Sequence, residues 1–286
     1  MITSVLTIVS TDVTGDMDIT DKISNLSRSF RGLGKVVVAF SGGVDSTFLT
    51  AAAVRALGAE NVLAATAVSA TLTDDEKDEA LALGKQLGVK HVLLETDEFT
   101  EPVFTANSAD RCYHCKKIRF SALIEWAAAR GYPWIVEGSN VDDDSDYRPG
   151  SRAVAELPAV RSPLKEAGLT KAEIREVSKQ WSLPTWEKPS AACLASRIEY
   201  GLPLTPERLK QVEEAEKFIR PLCKGQLRVR HHGSLARIEV EPEWISRLAE
   251  PETARKIETK LKALGFHHVA LDLSGYRMGS MNRGLE

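Results

Sequence analysis

Apolar positions along the chain switch between two spacings, one helical and one of short continuous runs. Residues 1–17 carry little pattern and are expected to be loosely ordered, whereas Ile19–Phe30 repeats apolar residues at helical intervals. From Lys35 the pattern predicts a buried strand Val36–Phe40, a glycine turn and a helix Ser46–Leu57. Strand Val62–Val68, helix Thr73–Leu87 and strand His91–Glu95 follow. Glu76 three residues after Thr73 forms a capping-box pattern, and Gly88 supplies the stop. A helix over about Cys115–Arg130 leads to strand Trp134–Glu137, then to Gly138-Ser139-Asn140 and an acidic loop Asp142–Asp146. Thr170–Gln180 is a helix with a second capping box, and Pro184–Ser190 reads as a boundary.

Beyond that boundary the order changes to helix Pro206–Ile219, strands Gln226–Arg230 and Ala236–Val240, helix Pro251–Leu264 and strand His268–Leu273. The fold expected is α/β, a doubly wound parallel sheet followed by a smaller α+β domain. Its divisions are 1–30 for the N-terminal segment and first helix, 31–188 for the parallel-sheet domain, and 189–286 for the C-terminal domain. Ligands of doubly wound sheets sit at the carboxyl ends of strands, where Ser41, Ser69 and Ser139 all fall.

Composition narrows the function. With 286 residues, 43% hydrophobic content and a formal net charge of −3, the chain has the makings of a sizeable core and no general basic field. A small-molecule substrate is therefore expected rather than a large nucleic-acid footprint. No apolar run approaches a membrane span and Met1–Ser10 lacks a secretory pattern, so a cytoplasmic protein is expected. In a reducing compartment the four cysteines, Cys112, Cys115, Cys193 and Cys223, point to metal or redox chemistry rather than disulfides.

The glycine pair after the first strand lets backbone approach an anion, and the helix that follows offers unpaired N–H groups. Ser41-Gly42-Gly43-Val44-Asp45-Ser46 is neither the Walker loop nor the dinucleotide fingerprint. It resembles the PP-loop signature, which implies cleavage of ATP between the α- and β-phosphates, adenylation of an acceptor oxygen and release of pyrophosphate. On that resemblance Ser41, Gly42, Gly43 and Ser46 cradle pyrophosphate, Ser69 and Gly138 line the nucleotide site, and Asp45 orients the loop or helps to hold Mg2+. The plainer alternative is a glycine turn with an Asp-Ser helix cap. Gly138-Ser139-Asn140 with Asp142 and Asp143 resembles a segment of PP-loop amide synthetases, against which stands a solvated acidic turn.

The resemblance narrows at Pro189-Ser190-Ala191-Ala192-Cys193-Leu194-Ala195-Ser196-Arg197, at Leu227–Gly233, at Ala236-Arg237-Ile238-Glu239, at Arg111-Cys112-Tyr113-His114-Cys115-Lys116 and at Tyr147-Arg148-Pro149-Gly150. Together these segments are similar to the LarE family and cover nearly the whole chain beyond residue 30. That resemblance implies an ATP-dependent sulfur transferase of nickel-pincer nucleotide synthesis, which serves lactate racemase maturation by turning a pyridinium carboxylate mononucleotide into a thiocarboxylate. Other nickel-pincer biosynthesis proteins are then the expected partners and a homo-oligomer the expected assembly.

Two sulfur sources stay open. In one, Cys193 attacks the acyl adenylate and gives up its own sulfur. In the other, Cys112, Cys115 and Cys193 ligate a [4Fe-4S] cluster, as in LarE relatives and tRNA-thiolating PP-loop enzymes with three cysteines. Inert or zinc-binding thiols are the alternative for Cys112 and Cys115, and core packing is the alternative for Cys193. Cys223, outside every motif, reads as a buried structural thiol. Arg228 and Arg230 alternate on a strand and so share a face from which both could clamp a substrate phosphate, unless they are ordinary surface arginines. Ser196 and Arg197 are further substrate candidates, and Glu216 and Glu239 candidates for metal or polar contacts.

Competing readings are tRNA thiolation, which wants a basic face, amide synthesis, which wants an ammonia source, and a non-catalytic ATP-binding assembly module.

Overall fold

The computed structural model describes residues 17–145, 149–189 and 192–282. The N-terminal segment, Asp146, Tyr147, Arg148, Ser190 and Ala191 lie outside the described residues.

The first layer runs α1 (Ile19–Leu33), β1 (Val36–Ala39), α2 (Val44–Leu57), β2 (Val62–Val68), α3 (Asp74–Gln86), β3 (Lys90–Glu95), α4 (Pro102–Thr105), α5 (Arg111–Ala128), β4 (Trp134–Val136), α6 (Pro149–Ala155), β5 (Val160–Arg161), α7 (Pro163–Glu166) and α8 (Lys171–Gln180). All five strands are parallel, in the order β3-β2-β1-β4-β5. β1 is apolar throughout because both of its faces are covered. Val36 and Val38 pack towards Phe30, Phe48, Leu83 and Ile174, while Val37 packs with Ile135, Leu123 and Ala127 on the opposite face. The strand order reverses between β1 and β4, which opens a crevice at their carboxyl ends.

α3 and α8 start where the sequence caps them. The Thr73–Glu76 and Thr170–Glu173 capping boxes both form, with side chain and backbone satisfying each other. Three local features differ from expectation. The helix expected at Cys115 begins at Arg111, with Asp110 at its N-cap but no side-chain cap bond to signal it. Residues Val141–Ser145 wind into a 3-10 turn instead of an open loop, tied by Asn140 N–H to the Asp143 carboxylate at 3.1 Å. The two-residue β5 is too short to show a periodicity.

The C-terminal part comprises α9 (Pro206–Ile219), β6 (Leu227–His232), β7 (Leu235–Val240), α10 (Ile245–Leu248), α11 (Pro251–Ala263) and β8 (His268–Leu271). β6 and β7 form a hairpin and β8 adds in parallel to β7, so the three-stranded sheet is mixed. Ile219, Val229, Ile238, Ile257, Leu261 and Phe266 form its core. A small further core joins the two parts: Phe104 packs with Leu194, Ala195, Ile198, Leu204, Leu209 and Val212. Among the described residues no helix is long and apolar enough to cross a membrane.

Candidate nucleotide and thiol site

The carboxyl end of β1 runs into Ser41–Gly43, and α2 begins at Val44 with no side-chain cap at Gly43. The first N–H groups of α2 therefore face the crevice unpaired by the helix, the arrangement that binds an anion. Gly42 adopts φ +68°, a conformation that favours glycine, while a Cβ there would meet Ala80 and Leu83 of α3 only at ordinary contact distance. The loop closes on itself: Ser41 and Ser46 hydroxyls lie 3.1 Å apart, and the Ser46 hydroxyl donates to the Gly43 carbonyl at 3.2 Å. Gly138, at the end of β4, backs onto α2 so closely that a Cβ would sit 3.1 Å from Asp45 Cβ and 3.3 Å from Ser46 N.

The resulting cavity of about 360 Å³ brings together residues of the glycine loop and of α5. Ser41, Gly43, Asp45 and Ser46 line it with Gly138, Ser139 and Asp143, Phe40, Leu94 and Leu123 give it an apolar wall, and Cys115, Lys116 and Arg119 enter from α5. Asp45 pairs with Lys171 at the start of α8. Glu137 is spent on the loop, accepting from Ser139 N–H at 3.2 Å and from the Ser139 and Ser162 hydroxyls at 2.8 and 2.5 Å. Ser69 does not line the cavity; Arg119, which does, donates to its hydroxyl at 2.8 Å and to that of Thr71 at 2.5 Å.

Starting α5 at Arg111 puts Cys112, Cys115 and Arg119 on one helical face. Arg119 is fixed by an ion pair with Glu98, which has no exposed surface. Burial opposes ionisation of Glu98, but Arg119 with Ser69 and Thr96 outweighs it and holds the carboxyl below the usual range. Cys193 is exposed at the N-terminus of a 3-10 turn, Leu194–Arg197, and the three thiols sense one another. Burial pushes Cys115 up to about 12, against Arg119, with Cys193, Glu98 and Cys112 adding to the rise. Cys112 shows its outer side to solvent yet is crowded within, and desolvation followed by Cys193 raises its thiol too. Among the described residues no three His, Cys, Asp or Glu side chains gather as ligands of a single metal ion. Cys223 is buried in the C-terminal core, 3.8 Å from the Ile219 carbonyl.

A second cavity lies across the segment that carries Cys193, lined by Glu76, Lys188, Ala192, Arg197, Glu216 and Arg228 among others. Lys188 donates to the Gly42 carbonyl at 3.0 Å and pairs with Glu79 at 2.8 Å, so this segment touches the glycine loop directly. Arg197 pairs with Glu216 at 3.0 Å and donates to the Cys193 carbonyl at 3.0 Å, while the Ser196 hydroxyl donates to the same carbonyl at 2.8 Å. Both groups thus hold the Cys193 turn. Arg230 is bound by Glu239 at 2.7 Å and donates to the Ser196 carbonyl at 3.3 Å. Arg228 and Arg230 are buried, not surface arginines, and Glu239 is fully buried. Among the described residues Arg228 has no carboxylate partner, donating only to the Leu227 carbonyl at 2.7 Å. Burial first, then repulsion from Arg197, holds it below the ordinary guanidinium value. Sequence reasoning missed Lys171, Lys188, Glu98 and Arg119, whose roles depend on distant partners.

Comparison with known proteins fits this geometry. Residues 18–130 match the family model described as NAD synthase. An uncharacterized Synechocystis protein is 41% identical over 264 residues, 92% of this chain and 98% of its own length. The pyridinium-3,5-bisthiocarboxylic acid mononucleotide synthase of Lactiplantibacillus plantarum is 37% identical over 261 residues, covering 91% of this chain and 94% of that protein. An uncharacterized protein of Methanocaldococcus jannaschii is 30% identical over 89% of this chain and 95% of its own.

Proposed function

The chain belongs to the LarE-like pyridinium bisthiocarboxylic acid mononucleotide synthases of the PP-loop ATP pyrophosphatase superfamily, and from that premise we propose that it inserts sulfur into a pyridinium carboxylate mononucleotide at the expense of ATP. The observation that carries the reading is one cavity lined both by the glycine loop and by Cys115, whose thiol interacts electrostatically with that of Cys193.

ATP lies with its β- and γ-phosphates on the open N-terminus of α2, where Ser41 and Ser46 turn their hydroxyls from each other to the anion, and with adenine on the apolar wall. Asp45 and Asp143 are the cavity carboxylates suited to Mg2+, a hard oxygen-binding cation. The substrate phosphate occupies the second cavity against Arg228, which lies over the Tyr276 ring and makes no contact ion pair among the described residues, the nearby Glu216 being paired with Arg197. Its carboxylate then reaches past Cys193 to the α-phosphorus. The carboxylate oxygen bonds to that phosphorus, the bond to the β-phosphate breaks, and pyrophosphate leaves. Sulfur next attacks the acyl carbon and AMP departs with the electron pair of the carbon–oxygen bond.

Thiolates are the ligands that iron–sulfur clusters favour, but among the described residues Cys112, Cys115 and Cys193 are not gathered around one metal position. A [4Fe-4S] cluster on these three would require them to close together, and would then carry inorganic sulfide supplied from outside. Exposure of Cys193 supports a second route. Its thiolate forms a thioester, loss of its α-proton breaks the Cβ–sulfur bond, and the thiocarboxylate leaves dehydroalanine behind.

Incubation with ATP, Mg2+ and the dicarboxylated pyridinium mononucleotide is expected to release pyrophosphate in proportion to substrate, and absence of substrate-dependent release overturns the reading. Cys193→Ser is expected to retain pyrophosphate release and lose the thiocarboxylate. Mass spectrometry after turnover separates the routes: loss of a hydrogen sulfide mass at Cys193 marks sacrifice, and an intact thiol with iron and acid-labile sulfide marks the cluster.

A further inference from the structure

The segment carrying Cys193 is joined to the segment leading into the Cys112–Cys115 turn by one residue that no motif singles out. Asn107 is completely buried and sits at φ 54°, in the left-handed region that asparagine tolerates better than most side chains. Its Nδ2 donates to the Glu199 carbonyl at 2.7 Å and to the Leu202 carbonyl at 2.8 Å, groups 92 and 95 residues further along the chain. Its backbone carbonyl accepts from Gly201 N–H at 3.1 Å, and its Oδ1 accepts from Arg111 Nη1. Arg111, next to Cys112, is itself buried, donates to the Ile198 carbonyl at 3.5 Å and lies with its guanidinium carbon 4.6 Å from the Tyr200 ring centre. Around this polar staple, Leu194, Ala195 and Ile198 pack on Phe104, with the partly buried Cys115 against the same cluster.

We infer that Asn107 is a positioning residue for sulfur transfer: with Arg111 it fixes residues 194–202 against the N-terminus of α5, and so fixes the separation of Cys193 from Cys112 and Cys115. Neither side chain lines the nucleotide cavity, so the staple acts on the thiols and not on ATP. The left-handed backbone lets both amide hydrogens of Asn107 point at carbonyls of one distant turn. Glycine keeps that backbone and removes the bonds, while aspartate keeps the shape and loses both donors. The inference rests on the sulfur-transfer reading for its purpose, but its geometry is testable without it.

The test uses the full chain as Asn107→Gly, with Arg111→Gln as a second variant that loosens the same staple without altering residue 107. On anaerobically purified, metal-free protein, the rate at which a mild thiol oxidant links Cys193 to Cys112 or Cys115 is followed by peptide mass spectrometry. ATP affinity, substrate-dependent pyrophosphate release and thiocarboxylate formation are measured alongside. Expected is a roughly tenfold slower cross-link and a comparable loss of thiocarboxylate, with ATP affinity and pyrophosphate release within about twofold of the parent. A cross-link rate equal to the parent's in both variants overturns the inference. So does a parallel fall in ATP affinity and cross-linking, which marks general loosening of the fold. If the parent makes no thiocarboxylate, the functional reading fails while the cross-linking result still decides the staple.

Discussion

Lys171, the first residue of α8, closes onto Asp45, the aspartate of the glycine loop, although 126 residues separate them. The pair ties the start of α8 to the start of α2, and it neutralises a carboxylate at the place where triphosphate and Mg2+ are proposed to enter. Once those ligands arrive, the ammonium is free to turn to phosphate. Lys171→Met removes about 2 kcal/mol of charge-assisted hydrogen bonding, expected as a roughly 30-fold fall in pyrophosphate release. Asp45→Asn is expected to lose about 100-fold. A Mg2+ titration of both variants checks this, with the Asp45 variant alone requiring more metal.

Gly138 is needed for its missing side chain. A Cβ there would meet Asp45 Cβ at 3.1 Å and Ser46 N at 3.3 Å, pushing the loop forward into its own cavity. Gly138→Ala is expected to cost about 1–3 kcal/mol of fold stability by overpacking, with ATP affinity down by about tenfold. Calorimetric titration with ATP and urea unfolding of the same preparation separate the two effects.

Glu98 is wholly buried and its partner Arg119 half-buried, so breaking the pair leaves the guanidinium with the Ser69 and Thr71 hydroxyls. Glu98→Gln is expected to lose about 2 kcal/mol of stability. Because the folded-state carboxyl value is depressed, the pair's contribution is complete above the unfolded value of roughly 4.3 and is lost as pH falls through the folded one. Urea midpoints measured from pH 5 downwards should therefore fall more gently in the variant.

His231 titrates in a different window. It is buried on β6, with Nε2 3.1 Å from Gln211 Oε1, and burial followed by repulsion from Arg208 lowers its value from 6.5 to about 4. The unfolded chain binds a proton first, so stability is complete above 6.5 and declines as pH falls towards 4. About 2 kcal/mol is lost between pH 7 and 5. His231→Gln should flatten that slope over the whole range from pH 6.5 down to about 4, as denaturation curves at pH 7, 5 and 4 will show.

Cys223→Ala should change neither pyrophosphate release nor thiocarboxylate yield by more than about twofold, at a stability cost of about 1 kcal/mol for a small buried side chain. Iron and sulfide content after anaerobic reconstitution should likewise be unchanged, in contrast to Cys112→Ala.

The elements that carry strong local signals were legible before any coordinates: the buried β1, the two Thr/Glu capping boxes and the glycine loop each follow from short-range patterns. α5 was legible only from Cys115, because Arg111 to His114 is polar and Asp110 makes no side-chain cap. Four residues of helix changed the chemistry, since they align Cys112 with Cys115 and Arg119. Glu98 carries no sequence signal of its own, yet it is wholly buried because Arg119 reaches it from another element. Glu239, a candidate for metal or polar contacts, is likewise wholly buried and paired with Arg230. Periodicity reports which face is covered but not which distant charge covers it, and Lys171, Lys188 and Asn107 all act at such distances.

The Asn107 staple also bears on how the molecule comes to be. Its bonds to Glu199 and Leu202 bridge more than ninety residues, a closure of high entropy that comes late when local helices and neighbouring strands form first. The parallel sheet and the glycine loop are complete by residue 180, before Cys193 has left the ribosome. A growing or truncated chain thus has its parallel sheet and glycine loop before Cys193, so on the proposed function the sulfur step waits until the last segment docks.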